Sequence, residues 1–439
     1  MLRIPKSIEY VYACFALWFF FGNPVNLLTV GGGGGQMVEA VGGNLMLPAM
    51  SMALYALAGF ALLFFWQSGL RRLIFTPQAI ALLILLIILI ASAKWSDYPR
   101  YTLRRSILIS GASTFAMYFS IRFNFKQQLK MLAIAFCCTA LLSVLFGIFI
   151  PQYGIMSLPP HVGAWRGVHM HKNDLGPQMA FISIFLVSIL YTKLFRGVGR
   201  IFITVSMICA VFLVLVSQST TGQMAMIALL LIFIACNSLK LNYLYMVPIV
   251  GSILLVAAAG SLYLQANADQ LFGAFGKGSD LSGRDRLWPP ILDMVSRKPL
   301  FGYGYEGFWR GFGSPGEAIW NTVGWPTPHA HNGFLEVLLA AGWVGGTLFL
   351  VSFLLSLVTS IKLVRLTKMT GAICPVLALV FIVLSNITES NLFKSDVWIL
   401  YIWVALSEWT ILSEGFSTEP PIPETPVPKP SLQDRLASQ

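Results

Sequence analysis

The 439-residue chain is 56% hydrophobic and only 11% charged. Water-soluble domains carry roughly 25% charged residues, so composition excludes a soluble enzyme. The net charge is +11, but in so apolar a chain a basic balance marks cytoplasmic loops, not nucleic-acid binding.

A membrane-spanning helix needs about 20 mostly apolar residues. Such runs are predicted at 8–30, 47–67, 78–95, 103–121, 129–150, 173–192, 201–217, 223–239, 243–264, 332–357, 371–388 and 391–413. They lack the strict alternation of a transmembrane barrel. The expected fold is therefore an all-α polytopic membrane protein of about twelve helices. Arg3 and Lys6 precede the first run without a small-residue cleavage site, so it reads as a membrane helix, not a cleaved signal. The six cysteines, Cys14, Cys137, Cys138, Cys209, Cys236 and Cys374, lie in apolar runs without a CxxC pair. That indicates neither a disulfide framework nor a zinc site.

Lysine and arginine set the orientation. Arg71 and Arg72, Arg122, Lys126 and Lys130, Lys193, Arg196 and Arg200, Lys240, and Lys362, Arg365 and Lys368 fall in alternate loops that hold no acidic residue. Those loops and both termini are placed inside. Segments 31–46, 94–102, 151–172, 218–222, 265–330 and 389–396 are placed outside. Residues 1–413 read as one membrane domain containing the external loop 265–330. The Pro-rich stretch 414–439 reads as a disordered cytoplasmic tail.

All five histidines, His161, His169, His171, His329 and His331, lie in or beside two external loops. The segment 161–174 (HVGAWRGVHMHKND) adds Arg166 and Lys172, but its histidine spacing does not align three ligands on one helix face. Loop 265–330 contains eleven aromatics, among them Trp288, Trp309, Trp320 and Trp325, with Arg284, Arg286, Arg297 and Arg310. Aromatic faces suit sugar rings and arginine forks suit phosphate. An interfacial aromatic belt with snorkelling cations is the alternative. Within the loop, PPILDMVSRKP (289–299) predicts a short helix starting at Pro289 or Pro290. Ile291, Met294 and Val295 would face the membrane core, and Asp293 would pair with Arg297. Glu336 sits just inside the following helix, while Glu389 and Asp396 flank the last external turn.

The segment 331–349 (HNGFLEVLLAAGWVGGTLF) fits H-[N/S/Q]-x9-G-x2-G-x3-F, with His331, Asn332, Gly342, Gly345 and Phe349 at the pattern positions. It resembles the O-antigen ligase and polymerase superfamily. WSDYPRYTLRR (95–105), WRGVHMHKNDLG (165–176), SGRDRLW (282–288), PLFGYGYEGFW (299–309) and TESNLF (388–393) look like its ExoQ-type exopolysaccharide polymerases. One departure stands in SQSTTG (217–222), where Thr220 occupies a position that is basic in many relatives.

The resemblance implies a GT-C-like fold in the bacterial inner membrane with a periplasmic active site. It implies metal-independent, inverting glycosyl transfer from an undecaprenyl-diphosphate-linked oligosaccharide, with no cofactor and no nucleic acid. A flippase and a chain-length regulator of the same export pathway are implied partners. In that reading His331 is the base and Arg284 neutralises the leaving diphosphate. Arg166, Arg286, Lys172, His171, Asn332 and Trp288 contact substrate. Gly342, Gly345 and Gly346 let their helix pack closely. A ligase acting on lipid A core or protein, or a lipid-linked sugar flippase, are the competing readings; the flippase would want charges deep in several helices.

Overall fold

A computed structural model describes residues 6–22, 27–28, 46–159, 161–253, 284–367 and 369–415. The helices, in chain order, are α1 Lys6–Gly22, α2 Met46–Leu63, α3 Trp66–Ile74, α4 Pro77–Ala91, α5 Pro99–Arg122 and α6 Phe125–Phe149. The short α7 Pro151–Gly154 follows, then α8 Lys172–Thr192, α9 Val198–Val216, α10 Thr220–Ser238 and α11 Tyr243–Ile253. The external loop contributes α12 Arg284–Arg297 and α13 Glu317–Val323. The chain continues through α14 Gly333–Thr367, α15 Ile373–Thr388 and α16 Ser395–Gly415.

Nine helices among the described residues are long and apolar enough to cross a bilayer. The predicted run at 103–121 lies within α5, and the one at 8–30 overlaps α1 over 8–22; the one at 243–264 is helical as α11 over 243–253, and residues 23–26, 29–45, 254–264 and the tail from 416 lie outside the described residues. The fold is a polytopic, all-helical membrane protein. Helix α8 is central: 78% of its most apolar stretch is buried, against 17% for α2 at the periphery. Helix α8 packs on α9, α10 and α15. Its contact with α10 is set by Gly176 against Gly222, where a Cβ on Gly222 would meet the Gly176 backbone at 2.6 Å. Phe181 of α8 stacks on Phe381 of α15, with ring centroids 4.7 Å apart.

Every described segment expected outside meets another on one face. Trp95 donates to the Phe301 carbonyl, Lys172 to the Gln218 carbonyl and Arg284 to the Thr388 carbonyl. Around the inside loops, Arg122 pairs with Glu9 and Arg72 donates to the Ser120 carbonyl.

The described part of the 265–330 loop packs on the membrane helices and on itself. Helix α12 spans Arg284–Arg297 instead of starting at Pro289 or Pro290, and both prolines lie inside it. Tertiary contacts explain the extra turn: Leu287 is fully buried and Arg284 is bound at its far end. Ile291, Met294 and Val295 are buried as expected, but against the loop's own Tyr303, Phe308, Trp309 and Ile319 and Leu339 of α14. The Asp293–Arg297 pair forms at 2.7 Å on the exposed side.

Gly342 is not simply a packing glycine. It interrupts α14 with φ +61° and ψ −163°. Chain 299–303 crosses the break: Trp343 and Val344 donate to the Pro299 and Leu300 carbonyls, and Tyr303 donates to the Leu339 carbonyl at 2.7 Å. The break would otherwise leave helix backbone groups unpaired, at a cost of a hydrogen bond each. A Cβ at Gly342 would collide with the Leu300 carbonyl. Gly342→Ala is therefore expected to lower thermal stability by at least about 1–3 kcal/mol, the usual cost of such strain. Gly59→Ala, whose Cβ would meet only Thr114 at 3.5 Å, should melt like the wild type. Equal melting temperatures for the two purified variants would refute the stitched break.

Candidate functional site

Glu389 follows the last residue of α15 and is largely buried. Oε2 lies 3.1 Å from His331 Nδ1, and Oε1 lies 3.3 Å from Arg284 Nη2 and 3.1 Å from Asn173 Nδ2. Four chain segments distant in sequence thus meet on one carboxylate. A carboxylate only accepts, so Nδ1–H of His331 donates to it and Nε2 is left as the acceptor. Arg284 also donates to the Thr388 carbonyl at 2.6 Å. These two bonds use Nη2, leaving Nε and Nη1 without protein partners among the described residues.

His331 has φ +49°, a left-handed conformation unusual for a side chain of its size. Its backbone N–H donates to Nδ1 of His329 at 3.2 Å, and the two rings lie 4.1 Å apart. Asn332 then caps α14, its Oδ1 accepting from the Phe334 and Leu335 amides. Glu336 accepts from the Ala330 amide at 2.6 Å and from Trp309 Nε1 at 3.0 Å. Trp288 donates to the Ala330 carbonyl at 3.1 Å. Residues 329–336 are thereby braced from the helix below and the loop above.

Several expected substrate contacts have other partners. Arg166 is 1% exposed and donates to the Tyr153 carbonyl at 2.7 Å. Lys172 is buried and donates to the Gln218 carbonyl, and His171 caps α8 by accepting from the Asn173 amide. Asn332 and Trp288 likewise serve the frame around His331. Arg286 is exposed and lies two residues from Arg284, about 200° around the helix; no described contact brings it to Glu389. Trp309 donates its indole N–H to Glu336 of α14 and Trp320 donates to the Thr327 carbonyl within the loop. Trp325 differs: it is 38% exposed, with its ring 6.1 Å from that of His331.

Sequence reasoning noted Glu389 only as a charge flanking a turn, and passed over Asn173 and the supporting part of His329. The signal for Glu389 was its place in TESNLF, one of the ExoQ-like stretches. The structure also brings together a possible cation set that no sequence spacing announced. Ligand-type atoms of His329, His331 and Glu389 lie within 4.8 Å of one another. A cation bridging His331 Nδ1 and Glu389 would displace the hydrogen bond between them.

Burial, then the adjacent His331 ring, pushes the His329 imidazole down to about 3. Burial alone would raise the Glu389 carboxyl, but its hydrogen bond and charge interaction with His331, with His329 adding, bring it below the ordinary carboxylate range.

With this geometry in place, similarity to known proteins defines the class. The chain is a multi-pass membrane protein, and residues 205–350, from α9 into the first half of α14, match the family described as O-Antigen ligase. It is similar to the exopolysaccharide production protein ExoQ of Rhizobium meliloti (strain 1021), 27% identical over a 267-residue alignment that covers 57% of this chain and 58% of that one. It is also similar to the ComP-specific O-oligosaccharyltransferase of Acinetobacter baylyi (strain ATCC 33305 / BD413 / ADP1), 24% identical over 42% of this chain and 34% of that one. The chain thus matches little more than half the length of the first relative and about a third of the second. The resemblance carried by 331–349 and the ExoQ-like stretches is borne out.

Both depressed groups act with the same sign. Unfolded His329 takes up a proton below its ordinary value of about 6.5, whereas the folded one does so only near 3. Its contribution is complete above 6.5 and is lost as pH falls toward 3. The contribution of Glu389 is present above the ordinary carboxylate range and is lost as pH drops through it. Thermal stability should therefore decline on acidification from neutral pH, and less steeply between pH 6.5 and 5 in His329→Gln. Parallel melting curves for the two proteins across that window would contradict the assignment.

Proposed function

We propose that the protein is a glycosyltransferase that polymerises lipid-diphosphate-linked oligosaccharide repeats at the outer face of a bacterial inner membrane. The observation that carries this is the joining of His331 and Arg284, a base and a fixed cation, on one carboxylate. Outside that membrane no nucleotide triphosphate is at hand, so the energy for the new bond arrives with the substrate. A diphosphate is a good leaving group, and its lipid requires an enzyme within the bilayer.

The acceptor hydroxyl loses its proton to Nε2 of His331 while its oxygen attacks the anomeric carbon of the donor. The bond from that carbon to the diphosphate breaks, and the diphosphate leaves with both electrons. A single displacement inverts the anomeric centre. Glu389 holds the imidazole with Nε2 outward and offsets the positive charge the ring acquires. Arg284 stabilises the leaving diphosphate through the N–H groups that Glu389 does not use, electrostatic help that is strongest in a water-poor site. Trp325 supplies an exposed aromatic face for a sugar ring. Binding of Arg286 to more distant phosphate or sugar follows from its exposure at the same helix. The reading needs no metal, because the Nδ1–H to Glu389 bond already performs the orienting task. A flippase and a chain-length regulator of the export pathway are the proposed partners.

A second reading follows from the Acinetobacter relative, whose name specifies an oligosaccharyltransferase. Transfer of a finished glycan to a protein or lipid acceptor would use the same donor chemistry. Incubating purified protein with lipid-linked repeats alone separates the two. A ladder of lengthening chains means polymerisation, whereas a single product appearing only when a second acceptor is added means ligation.

His331→Ala should reduce transfer by about 10²–10⁴-fold, the usual worth of a general base, with normal membrane abundance. A loss of only about twofold would make His331 structural. His329 is not a neutral control, since its ring accepts from the His331 amide.

Arg284→Lys should also lose most activity, because lysine lacks the planar fork, while Arg286→Ala retains most of it. Wild-type rates in Arg284→Ala would remove the diphosphate assignment. Chelator treatment should leave the ladder unchanged; its loss, restored by added zinc, would shift the site to metal-assisted transfer.

A further inference from the structure

The external end of α5 carries three arginines in one turn and a half, and only one is engaged by the loop. Arg105 pairs with Glu306 at 3.2 Å, and Arg310 from the loop covers the Tyr101 ring at 3.8 Å. Arg100 and Arg104, four residues apart and so on one helix face, are exposed and have no hydrogen bond or ion pair among the described residues. Arg104 stands at the mouth of an open groove of ≈ 310 Å³ between α2 and α5. The groove is otherwise lined by Pro48, Ala49, Met52, Ile107 and Leu108. Its volume lies at the lower end of the roughly 300–1,000 Å³ typical of ligand clefts. Ile107 is 48% exposed, as expected for a side chain facing lipid.

Two cations one turn apart with no partner among the described residues, one of them lining an apolar slot, match a lipid whose phosphate lies next to its chain. The slot is bounded by one row of side chains from each of two helices, which favours a single chain over the paired chains of a glycerophospholipid. It opens on the same face as the catalytic cluster, because chain 299–310 ties α5 to the broken helix that carries His331.

We infer that this groove holds a second isoprenoid-phosphate lipid, the carrier of the acceptor repeat, with its phosphate on Arg100 and Arg104. The inference rests on the polymerase reading, in which both donor and acceptor are lipid-linked. A ligase would not require it.

Purified protein in phosphatidylcholine nanodiscs, titrated with undecaprenyl phosphate and read by native mass spectrometry, tests the site. Wild type should bind two copies, and phosphatidylglycerol in equal amount should displace neither. The Arg100→Ala/Arg104→Ala double variant should bind one, as should Met52→Trp, which fills the slot without changing charge. In the polymerisation assay the double variant should raise the apparent KM for lipid-linked repeats about tenfold with little change in kcat. Arg104→Lys, which keeps the charge, should recover much of that loss. Two copies still bound to the double variant, or ready displacement by phosphatidylglycerol, would overturn the inference. If wild type forms no ladder yet loses one bound copy on mutation, the polymerase reading fails and the lipid site stands. If the ladder forms and binding is unaffected by these substitutions, the groove assignment alone fails.

Discussion

The functional face is organised around the carboxylate of Glu389. Its two oxygens reach α12 through Arg284, α8 through Asn173 and the start of α14 through His331. In a partly buried site an uncompensated charge is costly, so each of these segments is held where it neutralises or donates to that group. The positions of the loop helix, the central helix and His331 are consequently not independent. Asn173 extends the arrangement to the next helix by accepting from Ser219, the cap of α10.

This accounts for the burial of several basic residues expected to face solvent. Arg166 holds a carbonyl of α7 and Lys172 one of the segment that precedes α10, so both tie external segments together. Lys394 pairs with Asp174 at 2.9 Å, joining the last external turn to α8. Three of the external cations therefore serve the frame. Arg284 faces both ways, bound to the frame through one nitrogen and open through the others.

The membrane helices were readable in the chain because hydropathy over twenty residues is a local property. Their approximate ends followed too, since Arg122 and Arg72 cluster where the inside rule puts them. What resisted reading was tertiary. Nothing local distinguishes a tryptophan that stacks on sugar from one that fills a loop core, and Trp309 and Trp320 proved to be the latter. Nothing local pairs Glu389 with residues 58 and 105 positions away. The start of α12 lies earlier than the sequence suggests because two adjacent prolines read as first-turn residues on their own, and the contacts of Leu287 and Arg284 override that signal. The resemblance singled out His331, and the structure supplied the partners that give that histidine a direction.

The interruption at Gly342 has a consequence for access. A break in a membrane helix is tolerated only where other protein groups satisfy its backbone, and here those groups belong to the loop itself. Lifting chain 299–303 away would bare the Leu339 carbonyl and the Trp343 and Val344 amides together. Chain 299–303 is thus pinned to the break and is not a hinged lid. If the substrate is lipid-borne, as proposed, a way in that leaves these bonds intact is from the side, sliding between helices out of the bilayer it already occupies.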